Sequence, residues 1–329
     1  MVQSNTMKFG IVIIGRNEGV RLNNCIASVI DSAVTVVYVD SGSTDNSVNM
    51  ALNQGVSVVK LDMSIPFTAA RARNEGARHL LMLAPATVYI QFVDGDCEVV
   101  NHWMDQALHF LDQHPDVAVV YGRCRERHPE FSVYNLMCDI EWNMPIGQAK
   151  FCGGNALMRV DAFAQVDGFR ASLIAGEEPE LCVRLRALGW KIWRIDAEMV
   201  LHDAAMEKFS QWWRRGIRTG HAFAEGAYLH GSAPERLSVR ATHRNWFWGL
   251  FFPAFILLVT LVCGPLGLTL SAIYPAQVIR LALRDQKTLP APWWRAWFLV
   301  LGKFPEMLGQ SKFLYSRLRG HTSELIEYK

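Results

Sequence analysis

Asp94-Gly95-Asp96 closes the apolar run VYIQFVDGDCE, residues 88–98 of a 329-residue chain. Two carboxylates one glycine apart suit a hard, oxygen-seeking cation. Mg2+ and Mn2+ sites often combine one or two carboxylates with substrate phosphates. Asp and Gly also build tight turns after strands, so the tripeptide alone leaves both readings open. Glu177, Glu178 and Glu180 surround Pro179, and acids at a helix start suit its dipole. Asp40 follows VTVVYV and precedes Ser41-Gly42-Ser43-Thr44-Asp45, where it could cap or turn the chain. Gly153-Gly154-Asn155 would let a ligand approach the backbone closely. His202-Asp203 and the aromatic-basic string Gln211-Trp212-Trp213-Arg214-Arg215 complete the set.

The elements that must position these groups alternate along the front of the chain. Apolar runs at 9–14, 34–39, 56–61 and 88–93 read as strands covered on both faces. Residues 20–31 read as a helix with Leu22, Ile26, Val29 and Ile30 on one side, and residues 68–83 as another. Thr44 or Asp45 can cap the helix that follows the second strand. A helix near 101–113, a strand at 117–121 and a strand entered through Gly153-Gly154 come next. Residues 177–189 read as a helix with Leu181, Leu185 and Leu188 inward, ended by Gly189, and 190–195 as a strand. Strand–helix alternation with short loops implies a mostly parallel sheet. Ligands of such sheets sit beyond the carboxyl ends of the strands, which is where Asp40 and Asp94 lie.

Six segments in order, IVIIGRNEG, VVYVDSGSTDNS, ARARNEGA, FVDGD, GGNALMR and GEEPELCVRLRALGW, resemble a family 2 glycosyltransferase of the membrane-associated bacterial cell-envelope type. The likeness covers about residues 9–220. It implies a GT-A (Rossmann-like) α/β fold, a mostly parallel sheet sandwiched by helices, with C-terminal membrane-associating helices. It also implies a nucleotide-sugar donor and Mn2+ or Mg2+ as cofactor, the cation clamping the departing diphosphate. By this resemblance Asp96 is the direct metal ligand, Asp94 assists, and His202 is a third ligand. Asp40 reads the nucleobase and, as an acceptor for a pyrimidine N–H, favours uridine. Arg16, Asn17 and Glu18 match the first nucleotide-binding loop. Arg71, Arg73 and Asn74 match the segment beneath the diphosphate, with one arginine on phosphate and the other in solvent. Gly153, Gly154 and Asn155 face the donor sugar. The general base falls on Glu178, with Glu177 its alternative, because Glu-Glu stands where the family has Glu-Asp. Gln211, Trp212, Trp213, Arg214 and Arg215 loosely resemble the Q-x-x-R-W element of processive synthases and would meet the acceptor or its phosphate.

The back of the chain has a different character. Residues 1–204 hold 17 Lys+Arg and 24 Asp+Glu, whereas residues 205–329 hold 16 and 7. The basic residues flank apolar stretches, which favours a membrane surface over nucleic acid. No charge falls between Arg244 and Arg280, a 35-residue run. A single span needs roughly 20 residues. Pro253, Gly264-Pro265 and Pro275 interrupt the run, so one tilted span and a hairpin of two short helices both fit. Trp246, Trp248, Trp293, Trp294 and Trp297 suit an interfacial belt. Arg280, Arg284, Lys303, Lys312, Arg317 and Arg319 suit anionic headgroups.

The seven cysteines form no C-x-x-C pair, which argues against structural zinc and for buried thiols in a reducing compartment. MVQSNTMKFG lacks an apolar signal core. The expected division is 1–98 for the nucleotide-sugar half, 99–235 for the acceptor half and 236–329 for membrane association. The expected location is the inner membrane, with the catalytic domain in the cytoplasm. The expected partners are a nucleotide-sugar donor and a lipid-linked or polysaccharide acceptor, without nucleic acid. The expected activity is a metal-dependent inverting transfer. Transfer to polyprenyl phosphate and an inert scaffold of a polysaccharide export complex are the alternatives. No G-x-G-x-x-G follows the first strand, which argues against a dinucleotide-dependent dehydrogenase.

Overall fold

A computed structural model describes residues 9–30, 34–320 and 326–327. The chain forms two compact units. The first holds the described residues up to His128 with Glu141–Leu173 and Glu177–Ala204; the second holds Pro129–Ile140, Ile174–Gly176 and Ala205 onward.

The first unit is built on nine strands: β1 Phe9–Gly15, β2 Thr35–Asp40, β3 Ser57–Lys60, β4 Tyr89–Asp94, β5 Cys97–Val99, β6 Val117–Glu126, β7 Gly147–Ala149, β8 Ala156–Arg159 and β9 Lys191–His202. Their order is β3-β2-β1-β4-β8-β6-β9-β5, with β7 on β9. The β3-β2-β1-β4 half is parallel, with β1, β2 and β4 buried; β3, expected to be covered on both faces, is an edge strand and only half-buried. The other half is mixed, because β8 runs antiparallel to both β4 and β6. Helices α1 Val20–Val29, α2 Ser47–Asn53, α3 Ala69–Leu83, α4 Trp103–Gln113, α6 Val160–Gln165 and α7 Glu177–Ala187 belong to this unit, while α5 (Val133–Trp142) crosses a unit boundary. The N-cap of α2 is Asn46, with no side-chain cap; Asp45, one residue earlier, accepts from Ser47 N at 3.0 Å. Gly189 ends α7's turn at φ +90°. Ile30 and Leu188 are exposed, against expectation, because each lies past the last turn of its helix.

Register sets the working edge of the sheet. Gly15 pairs with Asp40 and Ile14 with Asp94, so both aspartates end their strands side by side around β1. β6 runs on past residue 121 to Glu126, where it meets His202 in parallel register. Gly122 permits this, since a Cβ there would sit 2.5 Å from the Ala197 carbonyl.

The second unit is helical: α8 Phe209–His230, α9 Val239–Trp246, α10 Phe252–Cys263, α11 Ile273–Asp285, α12 Pro292–Leu301 and α13 Lys303–Leu318. Helices α8 and α13 cross on glycine. A Cβ at Gly220 would strike the Glu306 carbonyl, and one at Gly309 the Ile217 carbonyl. Gly309→Val is expected to cost about 1–3 kcal/mol by overpacking. An unchanged thermal midpoint would refute that crossing.

Residues Val239–Asp285 are long and apolar enough to cross a membrane by length and composition, but they do not run straight. Gly264 takes φ +75°, Gly267 abuts Thr260, and Tyr274 Oη donates to the Trp248 carbonyl at 2.7 Å. A continuous helix would hold residues 248 and 274 roughly 39 Å apart at 1.5 Å per residue. The stretch is therefore a hairpin, the second of the two expected forms. Cys263 at its turn is exposed, while five other cysteines are buried thiols and Cys124 is half-buried.

Candidate active site

Two clusters of side chains line the strand-end edge of the first unit. The first gathers around Arg73. This residue lies on the inward stripe of α3 with Ala70, Ala77 and Leu80 and is 2% exposed. Its guanidinium reaches Asp94 Oδ1 at 2.8 Å, Glu177 Oε1 at 2.9 Å and Glu178 Oε1 at 3.3 Å. Those carboxylates hold its pKa above the usual arginine value despite burial, so it stays charged. The expected split between a phosphate-binding arginine and a solvated one is not what these contacts give. Arg73 is spent on carboxylates, and Arg71 donates to the carbonyls of Ile65 and Asp62, at 2.9 and 2.8 Å. Asn74 is likewise occupied, bridging the backbone of Phe169 through both amide atoms.

Because β8 is antiparallel to β4, the segment entering it arrives at β4's carboxyl end. Asn155 Oδ1 accepts from Asp94 N at 2.9 Å. A side chain at Gly154 would collide with Arg73 and come within 2.8 Å of Asp94 Oδ2. Gly153 has open space beside it. Helix α7 begins at Glu177, and the two acids part company there. Glu177 is buried against Arg73, whereas the Glu178 side chain keeps 16% exposure. Burial, then the neighbouring Glu177, push Glu178 up to about 7, against the pull of Arg73. Glu180 is a structural acid, paired with Arg170 at 3.1 Å and Arg184 at 2.7 Å.

The second cluster forms where β5, β6 and β9 meet. Cys97 pairs with His202 across β5 and β9. His202 Nε2 lies 3.3 Å from Asp96 Oδ1, and its Nδ1 lies 3.8 Å from Glu126 Oε2. That Nδ1 is buried without a hydrogen bond. Trp142 packs edge-on to the imidazole at 4.5 Å. Asp96, Cys97 and His202 bring one ligand atom each within 4.8 Å of one another. Burial raises the Cys97 thiol well above its usual value, so it suits the protonated form. The donor set left is one carboxylate and one imidazole, with Glu126 placed to orient the ring. Such a set fits Mn2+ and keeps positions open for phosphate oxygens. Asp94, expected to assist the metal, has Oδ1 held by Arg73 at 2.8 Å and is not among the three grouped ligands. Glu126 does not stand out in the sequence because the apolar run ends at 121. Its signal was a carboxylate ending a strand, as at Asp40 and Asp94.

The remaining residues frame the edge. Asp40 accepts from Tyr38 Oη at 3.1 Å and from the amides of Gly42 and Ser43 at 3.1 and 3.0 Å. Asn17, at φ 56°, accepts from Thr44 N at 2.7 Å and ties the two loops together. Arg16 lies over the Phe67 ring at 4.8 Å, and Glu18 pairs with Arg21 at 2.7 Å. In the second unit Gln211 accepts from the amides of Glu207 and Lys208, both at 2.9 Å, to cap α8. Trp212 packs on Phe298 at 4.9 Å within that unit. Both thus have local roles, Trp213 lies tilted against Phe209 at 5.6 Å, and Arg214 is exposed. Arg215 belongs to the same helix.

A mixed sheet of this order, with acids along one edge, is the GT-A-like architecture of glycosyltransferases. Residues 10–166 match glycosyl transferase family 2, and the chain is a glycosyltransferase carrying that family's domain. Among solved structures it is similar to the mannosyltransferase PcManGT from Pyrobaculum calidifontis, in complex with GDP-Man and Mn2+. The two are 17% identical with a TM-score of 0.59, covering 94% of this chain and 88% of that one. Glucosyl-3-phosphoglycerate synthase from Mycobacterium tuberculosis, in complex with Mn2+, UDP-glucose and phosphoglyceric acid, is 16% identical. Its TM-score is 0.45, covering 68% of this chain and 81% of that one. No curated protein matches the chain.

Proposed function

We propose that this glycosyltransferase is metal-dependent and inverting. It moves a sugar from a UDP-sugar to a lipid-linked or polysaccharide acceptor at the cytosolic face of a membrane. The observation that carries the reading is Glu178, a partly open carboxylate raised to about 7 on the edge that also bears Asp96. A carboxylate so poised takes the acceptor hydroxyl's proton as that oxygen attacks the anomeric carbon from the face opposite the nucleotide. Arg73 fixes Glu177 and Asp94 on either side, and Gly154 keeps the space above them clear. Asp96 and His202 would hold Mn2+ or Mg2+, which supplies charge neutralisation to the departing diphosphate. Among the described residues only Tyr38 donates to Asp40 Oδ1, which leaves a lone pair for a nucleobase N–H. The GDP-mannose bound by PcManGT keeps a guanosine donor as the second reading. The exposed apolar hairpin supports the membrane setting.

The test is a donor screen on detergent-solubilised protein, reading nucleoside diphosphate release. Release from a UDP-sugar, lost on chelation and restored by Mn2+, is the expected result. Release that persists through chelation would sink the metal-dependent reading, and release from GDP-mannose alone would replace the uridine donor.

A further inference from the structure

A cavity of about 460 Å3 lies within the helical unit, lined by Arg244, Arg280, Arg284, Arg295 and Lys303. No acidic side chain lines it among the described residues. Two carboxylates set behind the wall partner three of these cations. Asp285 takes Arg284 at 2.6 Å and also Arg295, and Glu306 takes Lys303 at 2.5 Å. Arg280 donates only to Gln277 Oε1, at 2.8 Å, and Arg244 has no carboxylate partner among the described residues. Five cations against two carboxylates leave the cavity strongly positive, with Arg244 and Arg280 available to a ligand. Arginine forks match phosphate oxygens two at a time.

What adjoins the cavity narrows the class of phosphate. Trp248 and Tyr274 also line it, and these same two residues join the arms of the hairpin at its base. From that base project Leu257, Leu258, Leu261, Val262, Leu266 and Leu268, each 57–76% exposed. A soluble phosphate would use the cations and leave the apolar arms unexplained. A hydrocarbon alone would use the arms and leave the surplus positive charge unexplained. A molecule with a hydrocarbon tail and a phosphate head uses both.

We propose that this cavity binds the terminal phosphate of a membrane lipid, a phosphomonoester whose tail lies along the hairpin. The inference rests on the membrane setting proposed above, but not on sugar transfer.

The test uses the full-length purified protein and flotation with four kinds of vesicle. One is phosphatidylcholine alone; the others add phosphatidylserine, phosphatidic acid or polyprenyl phosphate at matched surface charge. Wild type is expected to prefer the two phosphomonoester vesicles over the phosphatidylserine vesicles. Arg244→Gln/Arg280→Gln is expected to lose about tenfold or more of that preference, the effect of one or two charge-assisted hydrogen bonds. Arg236→Gln/Arg240→Gln removes the same charge from outside the cavity and is expected to keep it. The stronger of the two phosphomonoester arms tells an acyl tail from an isoprenoid one. Absence of any preference, or its survival in Arg244→Gln/Arg280→Gln, would each overturn the proposal. Failure of wild type to float even with neutral vesicles would instead overturn the membrane setting.

Discussion

Asp96→Ala is expected to lower metal-dependent nucleoside diphosphate release by roughly a thousandfold, because a bound cation contributes several kcal/mol of charge stabilisation. The size of the loss follows from the donor set. Asp96 supplies the carboxylate of the Asp96, Cys97 and His202 group, and it is 7% exposed. Removing it leaves the His202 imidazole and the Cys97 thiol without the carboxylate oxygen that a hard cation needs. His202→Gln is a milder lesion, since the carboxylate stays, and raised Mn2+ should recover much of its activity. Isothermal titration of Mn2+ in the presence of nucleotide checks both. Wild-type activity in Asp96→Ala would remove the metal from this edge.

Glu178→Gln is expected to lower turnover by about 10²–10⁴-fold, the contribution of a positioned base, while leaving nucleotide affinity nearly unchanged. The pH dependence gives an independent check. Burial and Glu177 raise Glu178 to about 7, so the proton-accepting form is scarce below neutrality and dominant above it. The sign is therefore a rate that climbs as pH rises through about 7 and then levels. Glu178→Gln should abolish that limb of the profile. A wild-type rate that falls over the same interval would rule Glu178 out as the base. Glu177→Gln should behave differently, loosening Arg73 and harming stability along with rate, because Glu177 is buried against that guanidinium.

The sequence exposed the parallel half of the sheet clearly. FGIVII, VTVVYV and VYIQFV are continuous apolar runs because helices cover both their faces, and each strand begins or ends within a residue of its run. The ends of β6 and β9 were harder to see. There, charged residues alternate with apolar ones as RCRE and RIDAEMVLH, a pattern of strands open on one side. That pattern hides the pairing that brings Glu126 and His202 to Asp96, although His202 is recognisable from the family resemblance. Arg73 was legible in principle, since Ala70, Ala77 and Leu80 mark its face as the inward one. A charged residue on a buried stripe signals a partner, and three carboxylates elsewhere in the chain supply it. No local pattern could reveal that pairing, because Glu177 and Glu178 lie 104 and 105 positions away in sequence. Proline and glycine marked the hairpin's corner at Gly264-Pro265, but the choice between a bend and a full reversal needed the contact between Trp248 and Tyr274.

The crowding of three carboxylates on a single guanidinium has a kinetic corollary. With Asp96 close by in sequence and on the same edge, the entrance presents surplus negative charge to a donor whose diphosphate is itself an anion. Coulomb repulsion then works against a bare nucleotide sugar and for a divalent ion. Loading should accordingly be ordered, cation first and donor second. Departure should follow the reverse order, the spent diphosphate leaving before or together with its ion.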